Sequence, residues 1–352
     1  MEKTKQSGKR QRPIESLTGL KVIAMLLLFW HHSTIPKLSV DLGARTCEFL
    51  FVVSGFLVGY NYFYIERPAT WKESFRYAYS KFLKFWPLHF LTMLLVMGVK
   101  VRPIFTFSNL IKAILNIFLL QAWSPCQEIY FSYNGASWFL SALLFCYFMA
   151  PLLLKFAKNL KKSMILFVLI FLLRYVIEYV EIVYPGQFLN LQIHTSPIVR
   201  CLEFFMGMLL VPLFIVLKKY IDKREYKILF SLLEVVMILS IVYLTYHYNG
   251  LWYRALYVLL FGLIVVLFAF DKGIVSKCLS IRPFKWFSYI QFEFYILHQA
   301  LIICLVGVYS TYMLDWKIMN FCMFSTITIV AIFYKKFLSR SCSKFLQKIL
   351  EN

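Results

Sequence analysis

Apolar residues fall in long runs separated by short, basic gaps. The runs lie near residues 17–33, 46–65, 82–101, 137–154, 163–181, 197–217, 228–247, 252–270, 289–309 and 318–334. A helix that crosses a bilayer needs roughly 17–25 mostly apolar residues, and each run is of that order. An eleventh stretch, 109–123, is shorter and carries Lys112 and Gln121. The pattern predicts an all-α, polytopic membrane helix bundle of about ten transmembrane helices, plus one short interfacial or re-entrant helix.

The gaps set the orientation. With ten spans and the N-terminus inside, the inner segments are Lys3–Arg12, Arg67–Lys84, Lys155–Lys162, Lys218–Lys227, Lys272–Lys285 and Lys335–Lys348, with four or five basic residues each. The outer segments hold only Lys37, Arg45, Lys100, Arg102, Lys112, Arg254 and Lys317. A crossing by 109–123 would move every later cluster outside, against the positive-inside rule. Both termini are therefore expected in the cytoplasm, with a basic segment at 1–15, a membrane domain at 16–337 and a basic tail at 338–352.

Composition narrows the class. Of 352 residues, 61% are hydrophobic and 16% charged, against about 45–50% and about 25% for soluble domains. A soluble enzyme and a disordered chain are both excluded. The net charge of +21 would suggest nucleic acid in a soluble protein; here basic residues report orientation, and no nucleic-acid partner is expected. The eight cysteines include no CxxC pair and lie mostly in apolar runs, so neither a disulfide nor a metal site is expected.

Ionisable residues inside spans are costly and mark candidate sites. In the first run, Lys21 and His32 are 11 residues apart, which puts them on one helix face about 16 Å apart, while His31 points about 80° away. A snorkelling lysine and an interfacial histidine pair are the alternative reading. Glu48 opens the second run and returns a carboxylate to the depth of His32, where it would orient the imidazole or simply be solvated. Arg200 and Glu203, three apart, lie at the same outer depth. Arg174 and Glu178, four apart, read as a self-neutralising intrahelical pair. Gln291, Tyr295 and His298 form a polar stripe on the ninth run. At the inner face, Arg76, Lys81 and Lys84 precede Trp86-Pro87-Leu88-His89. Such a cluster would meet anionic lipid or the phosphates of a nucleotide cofactor.

Read in order, these patches resemble the acyltransferase 3 family, membrane-embedded O-acyltransferases of surface glycans. The stretch Ser16–His32 (SLTGLKVIAMLLLFWHH) is similar to the family's first helix, where a basic residue precedes a histidine by ten intervening positions. Glu48–Leu57 (EFLFVVSGFL), Lys81–Leu88 (KFLKFWPL), Ser137–Ala142 (SWFLSA), Arg200–Met208 (RCLEFFMGM) and Ile290–Gln299 (IQFEFYILHQ) follow in family order. The family prefers Arg where this chain has Lys21, Lys81 and Lys84, and Ser where it has Gln291.

The resemblance implies an acyl-CoA donor, most simply acetyl-CoA, entering from the cytoplasm. A glycan or lipid-linked glycan would be the acceptor, in the cytoplasmic membrane and in company with polysaccharide synthesis or export proteins. His32 would be the general base and Glu48 its partner. Lys21, Arg76, Lys81 and Lys84 would hold CoA, and Trp138, Ser141, Arg200, Glu203, Tyr295 and His298 the acceptor. A polar tunnel is expected to join the cationic inner mouth to the imidazole. The main alternative is a transporter or flippase for a glycan or small anion.

Overall fold

The computed structural model describes residues 11–33, 35, 41–100, 106–185, 192–221, 226–248, 250–312 and 315–342. Most of the expected N-terminal basic segment lies outside the described residues, as do the tail beyond residue 342, Lys37 and Arg102. Among the described residues the chain is helical: α1 (Glu15–His32), α2 (Leu42–Asn61), α3 (Trp71–Lys100), α4 (Phe107–Ile117), α5 (Gln127–Tyr130), α6 (Trp138–Leu154), α7 (Leu160–Val183), α8 (Pro197–Leu209), α9 (Val211–Ile221), α10 (Lys227–His247), α11 (Arg254–Phe268), α12 (Ile274–Leu279), α13 (Arg282–Thr311) and α14 (Trp316–Phe333).

Local chemistry sets several starts. Asp41, Thr106, Asn159 and Asp315 accept from backbone N–H groups in the first turns of α2, α4, α7 and α14, and Pro197 opens α8. Among the described residues, eight helical stretches are long and apolar enough to cross a membrane. The other two expected spans appear as α1, of 18 residues, and α11, of 15. Two helices begin well before their apolar runs, α3 at Trp71 instead of residue 82 and α13 at Arg282 instead of residue 289. Hydropathy marks where the chain enters lipid, whereas backbone hydrogen bonding carries the helix on through polar residues.

The stretch 109–123 forms one short helix and then turns back. Helix α4 has 11 residues, about 16 Å against a hydrocarbon core of about 30 Å. It runs beside α3, where the Trp86 indole donates to the Ile117 carbonyl at 2.7 Å and His89 Nε2 bonds the Asn116 carbonyl at 2.8 Å. The chain turns at Leu119, with φ 54°. It comes back far enough for the Tyr133 hydroxyl to donate to the Asn109 carbonyl at 2.8 Å.

The core is centred on α2 and α8, whose backbones touch. A Cβ added to Gly55 would lie 1.7 Å from the Phe204 carbonyl oxygen, and one on Gly207 would lie 1.9 Å from that of Val52. Only glycine permits this approach, which trades side-chain packing for backbone contact. Around it Phe51, Val52, Phe56, Phe204 and Met208 are fully buried. By contrast α7 and α10 keep broad apolar faces exposed, including Leu169, Val176, Leu232 and Leu239, as lipid-facing helices do.

Candidate active site

Helix ends that the charge pattern assigns to the outer side converge on a cavity of about 330 Å³. The end of α1 contributes His31 and His32, the start of α2 Gly43, Ala44 and Cys47, and the start of α6 Trp138. Asp41, Tyr133 and His194 come from connecting segments, and Tyr295, His298 and Gln299 from α13. Four of the six histidines in the chain meet here.

The rings are close. His31 and His32 stand 4.9 Å apart between centroids, and His32 and His298 5.3 Å. Gly43 makes room for the pair, since a Cβ there would sit 2.7 Å from His31 Nε2. His298 spends Nδ1 on the Tyr295 carbonyl of its own helix. The Tyr295 hydroxyl donates to the Ala136 carbonyl at 2.8 Å, tying α13 to the loop before α6. The His194 ring lies 4.8 Å from that of Trp138. Three buried polar atoms of cavity residues have no hydrogen-bond partner among the described residues: His194 Nδ1, His298 Nε2 and Gln299 Oε1.

The cavity thus brings together four of the residues singled out from sequence, His32, Trp138, Tyr295 and His298. Others stand elsewhere. Glu48 does not reach His32; it is fully buried and bonded to Arg45 at 2.6 Å, with Arg254 at 4.0 Å. Two nearby guanidinium groups outcompete an imidazole for one carboxylate. Ser141 is a structural anchor: its hydroxyl donates to the Leu119 carbonyl at 2.5 Å and accepts from the Ala122 N–H at 3.4 Å, which fixes the turn after α4. Arg200 and Glu203 bond each other at 2.6 Å behind the cavity wall. Arg174 is not confined to its helix, because besides Glu178 at 2.8 Å it reaches Glu203 at 3.4 Å.

The cations form a second group that does not line the cavity. Arg76 and Lys84 are exposed on α3, and Lys81 lies between the Tyr77 and Tyr147 rings, 5.0 and 5.1 Å from their centroids. Lys21 is near enough to Lys84 for the charges to repel. Along the polar tunnel expected from sequence, the α1 face itself carries apolar side chains. On the α1 face between Lys21 and His32, Met25 and Leu28 point within about 40° of Lys21, and both are buried. Leu28 is part of the cavity lining.

His31, His194, Asp41 and Gln299 were not among the residues singled out as site candidates. His194 lies in a short loop with no periodicity to exploit, and the one available signal was the scarcity of histidine. Helical arithmetic on α1 points His31 about 80° away from Lys21. A ring at a helix terminus, however, meets a cavity that caps the helix end. Among the described residues no three His, Cys, Asp or Glu side chains cluster to hold a metal ion.

A bundle of apolar helices with buried ion pairs and a histidine-lined polar cavity defines an integral membrane protein equipped for chemistry or for binding at a polar ligand. The chain belongs to the acyltransferase 3 family: the family model, described as an acyltransferase domain, matches residues 14–335. It is a membrane acyltransferase. No curated protein and no solved structure matches the chain.

Proposed function

We propose that this acyltransferase moves an acyl group, acetyl in the simplest case, from acyl-CoA on the cytoplasmic side of the cell membrane to a sugar hydroxyl. The acceptor is a cell-surface or exported polysaccharide, or its lipid-linked precursor. The observation that supports this best is the cavity, where His32 stands among buried polar atoms without partners and beside the Trp138 ring. A buried polar atom left unpaired costs about 1–3 kcal/mol. A ligand dense in hydroxyl groups relieves that cost.

In this reading His32 acts as general base and takes the proton of the acceptor hydroxyl. The hydroxyl oxygen attacks the thioester carbonyl carbon and a C–O bond forms. The C–S bond breaks, and the departing CoA thiolate takes the proton back from His32. Lys21, Arg76, Lys81 and Lys84 hold the CoA phosphates, the lysines as point charges without the planar fork of arginine. The step from donor to acceptor site crosses the level of Met25 and Leu28.

The test uses the purified full chain in lipid nanodiscs, with radiolabelled acetyl-CoA and envelope polysaccharide from the source cell. Wild type is expected to label the glycan. His32→Ala, equally abundant, is expected to label it at least about 100-fold more slowly, the lower range of general-base effects. An unchanged rate removes the base assignment. Passage of unlabelled glycan across the bilayer without label transfer makes the chain a transporter.

A further inference from the structure

Arg200 is fully buried and its guanidinium is committed on three sides. Nη1 donates to Glu203 at 2.6 Å, Nε to the His194 carbonyl at 2.8 Å and Nη2 to the Ile193 carbonyl at 3.0 Å. Glu203 is held in turn by Arg174, and Arg174 by Glu178. A line of buried charges from α7 to α8 therefore ends in two hydrogen bonds on the loop before α8. Buried ion pairs add little net stability over apolar residues of the same volume. What this one secures is the place of a loop.

That loop presents the His194 ring to the cavity, against Trp138 and with Nδ1 unpartnered among the described residues. Burial, and after it the Arg200 charge, hold the His194 pKa well below the ordinary imidazole value. The ring is therefore neutral at physiological pH. A neutral imidazole offers one donor and one acceptor, the same pair that a sugar hydroxyl offers in return, whereas an imidazolium offers donors only.

We infer that Arg200 is a positioning residue that aims His194 into the cavity, and that the His194 imidazole hydrogen-bonds a hydroxyl of the saccharide acceptor packed against Trp138. This rests on the acceptor reading given above and deepens it. His32 removes a proton, while His194 selects which hydroxyl reaches His32. Neither Arg200 nor Glu203 touches the sugar; both act through the loop.

The experiment measures transfer from radiolabelled acetyl-CoA to oligosaccharide released from the source cell's envelope polysaccharide, using the full chain in nanodiscs. His194→Leu keeps the volume and loses the hydrogen bond. It is expected to raise the acceptor KM about tenfold, the effect of one hydrogen bond, with the KM for acetyl-CoA unchanged. His194→Asn, which keeps a donor and an acceptor near the Nδ1 position, restores most of the loss. Arg200→Lys raises the acceptor KM in the same way, and adds nothing on top of His194→Leu, because coupled residues are not additive. An unchanged acceptor KM, a parallel rise for both substrates, or additive effects overturns the proposal.

A wild type that transfers nothing refutes the glycan reading instead. The positioning claim is then read separately, from carbethoxylation of His194 by diethyl pyrocarbonate, followed by mass spectrometry. Arg200→Lys is expected to speed that reaction severalfold, and an equal rate in both proteins refutes the clamp.

Discussion

Replacing Gly55 by alanine adds one methyl group where α2 meets α8. The new carbon would sit 1.7 Å from the Phe204 carbonyl oxygen and 2.6 Å from its carbonyl carbon. The obstacle is main chain inside a helix, so no rotamer change clears it, and the two helices must part. Inserting a methyl into a packed core costs typically about 1–3 kcal/mol; a contact this short, against an atom that cannot turn away, belongs at the upper end. Gly98 on α3 is the control, since a Cβ there meets no atom within 4 Å. In a helix interior alanine is favoured over glycine by about 1 kcal/mol, so Gly98→Ala is expected to be neutral or slightly stabilising. Thermal unfolding of both variants and wild type in one detergent gives the comparison. If Gly55→Ala melts at the wild-type temperature, the backbone seam between α2 and α8 is not as described.

Three further outcomes are expected. Glu203→Ala leaves Arg200 and Arg174 buried with half their neutralisation gone, and is expected to cost on the order of 3–5 kcal/mol in unfolding free energy. Lys81→Ala and Lys84→Ala are expected to raise the KM for acyl-CoA without altering that for the acceptor; unchanged CoA affinity would assign the cluster to lipid headgroups. Because burial, and after it the charges of Arg200, Arg254, Arg45 and His31, oppose protonation of His194, the unfolded chain takes up that proton first as pH falls. The contribution of His194 to stability is thus complete above its ordinary value of 6.5, and is lost as pH falls below it. The loss is about 1 kcal/mol per pH unit. The melting temperature of wild type is therefore expected to drop further between pH 7.5 and 5.5 than that of His194→Leu, as differential scanning fluorimetry would show; parallel curves would contradict this.

The helices were legible because lipid imposes one rule over many residues, and apolar runs reveal it at once. Their polar ends were less so: the first turns of α3 and α13 read as loop, since charge there says nothing about backbone hydrogen bonding. Within the site, His32 and Lys21 followed from helical arithmetic on a single element, and Tyr295 and His298 from a stripe on another. Partner choice between elements did not follow. Glu48 was as near to His32 in sequence depth as to Arg254; Arg45, three residues before it on α2, takes the carboxylate, and the packing of α11 against α2 adds Arg254. Ser141 is a similar case, because a hydroxyl on a motif helix looks alike whether it meets a ligand or the turn after α4. His194 depends on a clamp from Arg200, a contact between a loop and a helix that no spacing rule encodes.

Met25 and Leu28 put buried apolar side chains on the α1 face between Lys21 and His32, where the proposed reaction would need a dry step. A protein that passes chemistry from one side of a bilayer to the other risks dissipating the electrochemical gradient, since a file of water conducts protons. Oily side chains on that face would break such a file. They also keep the waiting thioester away from bulk solvent, so that hydrolysis is slowed until a sugar arrives. In the proposed reaction the acyl group would pass at the level of these two side chains.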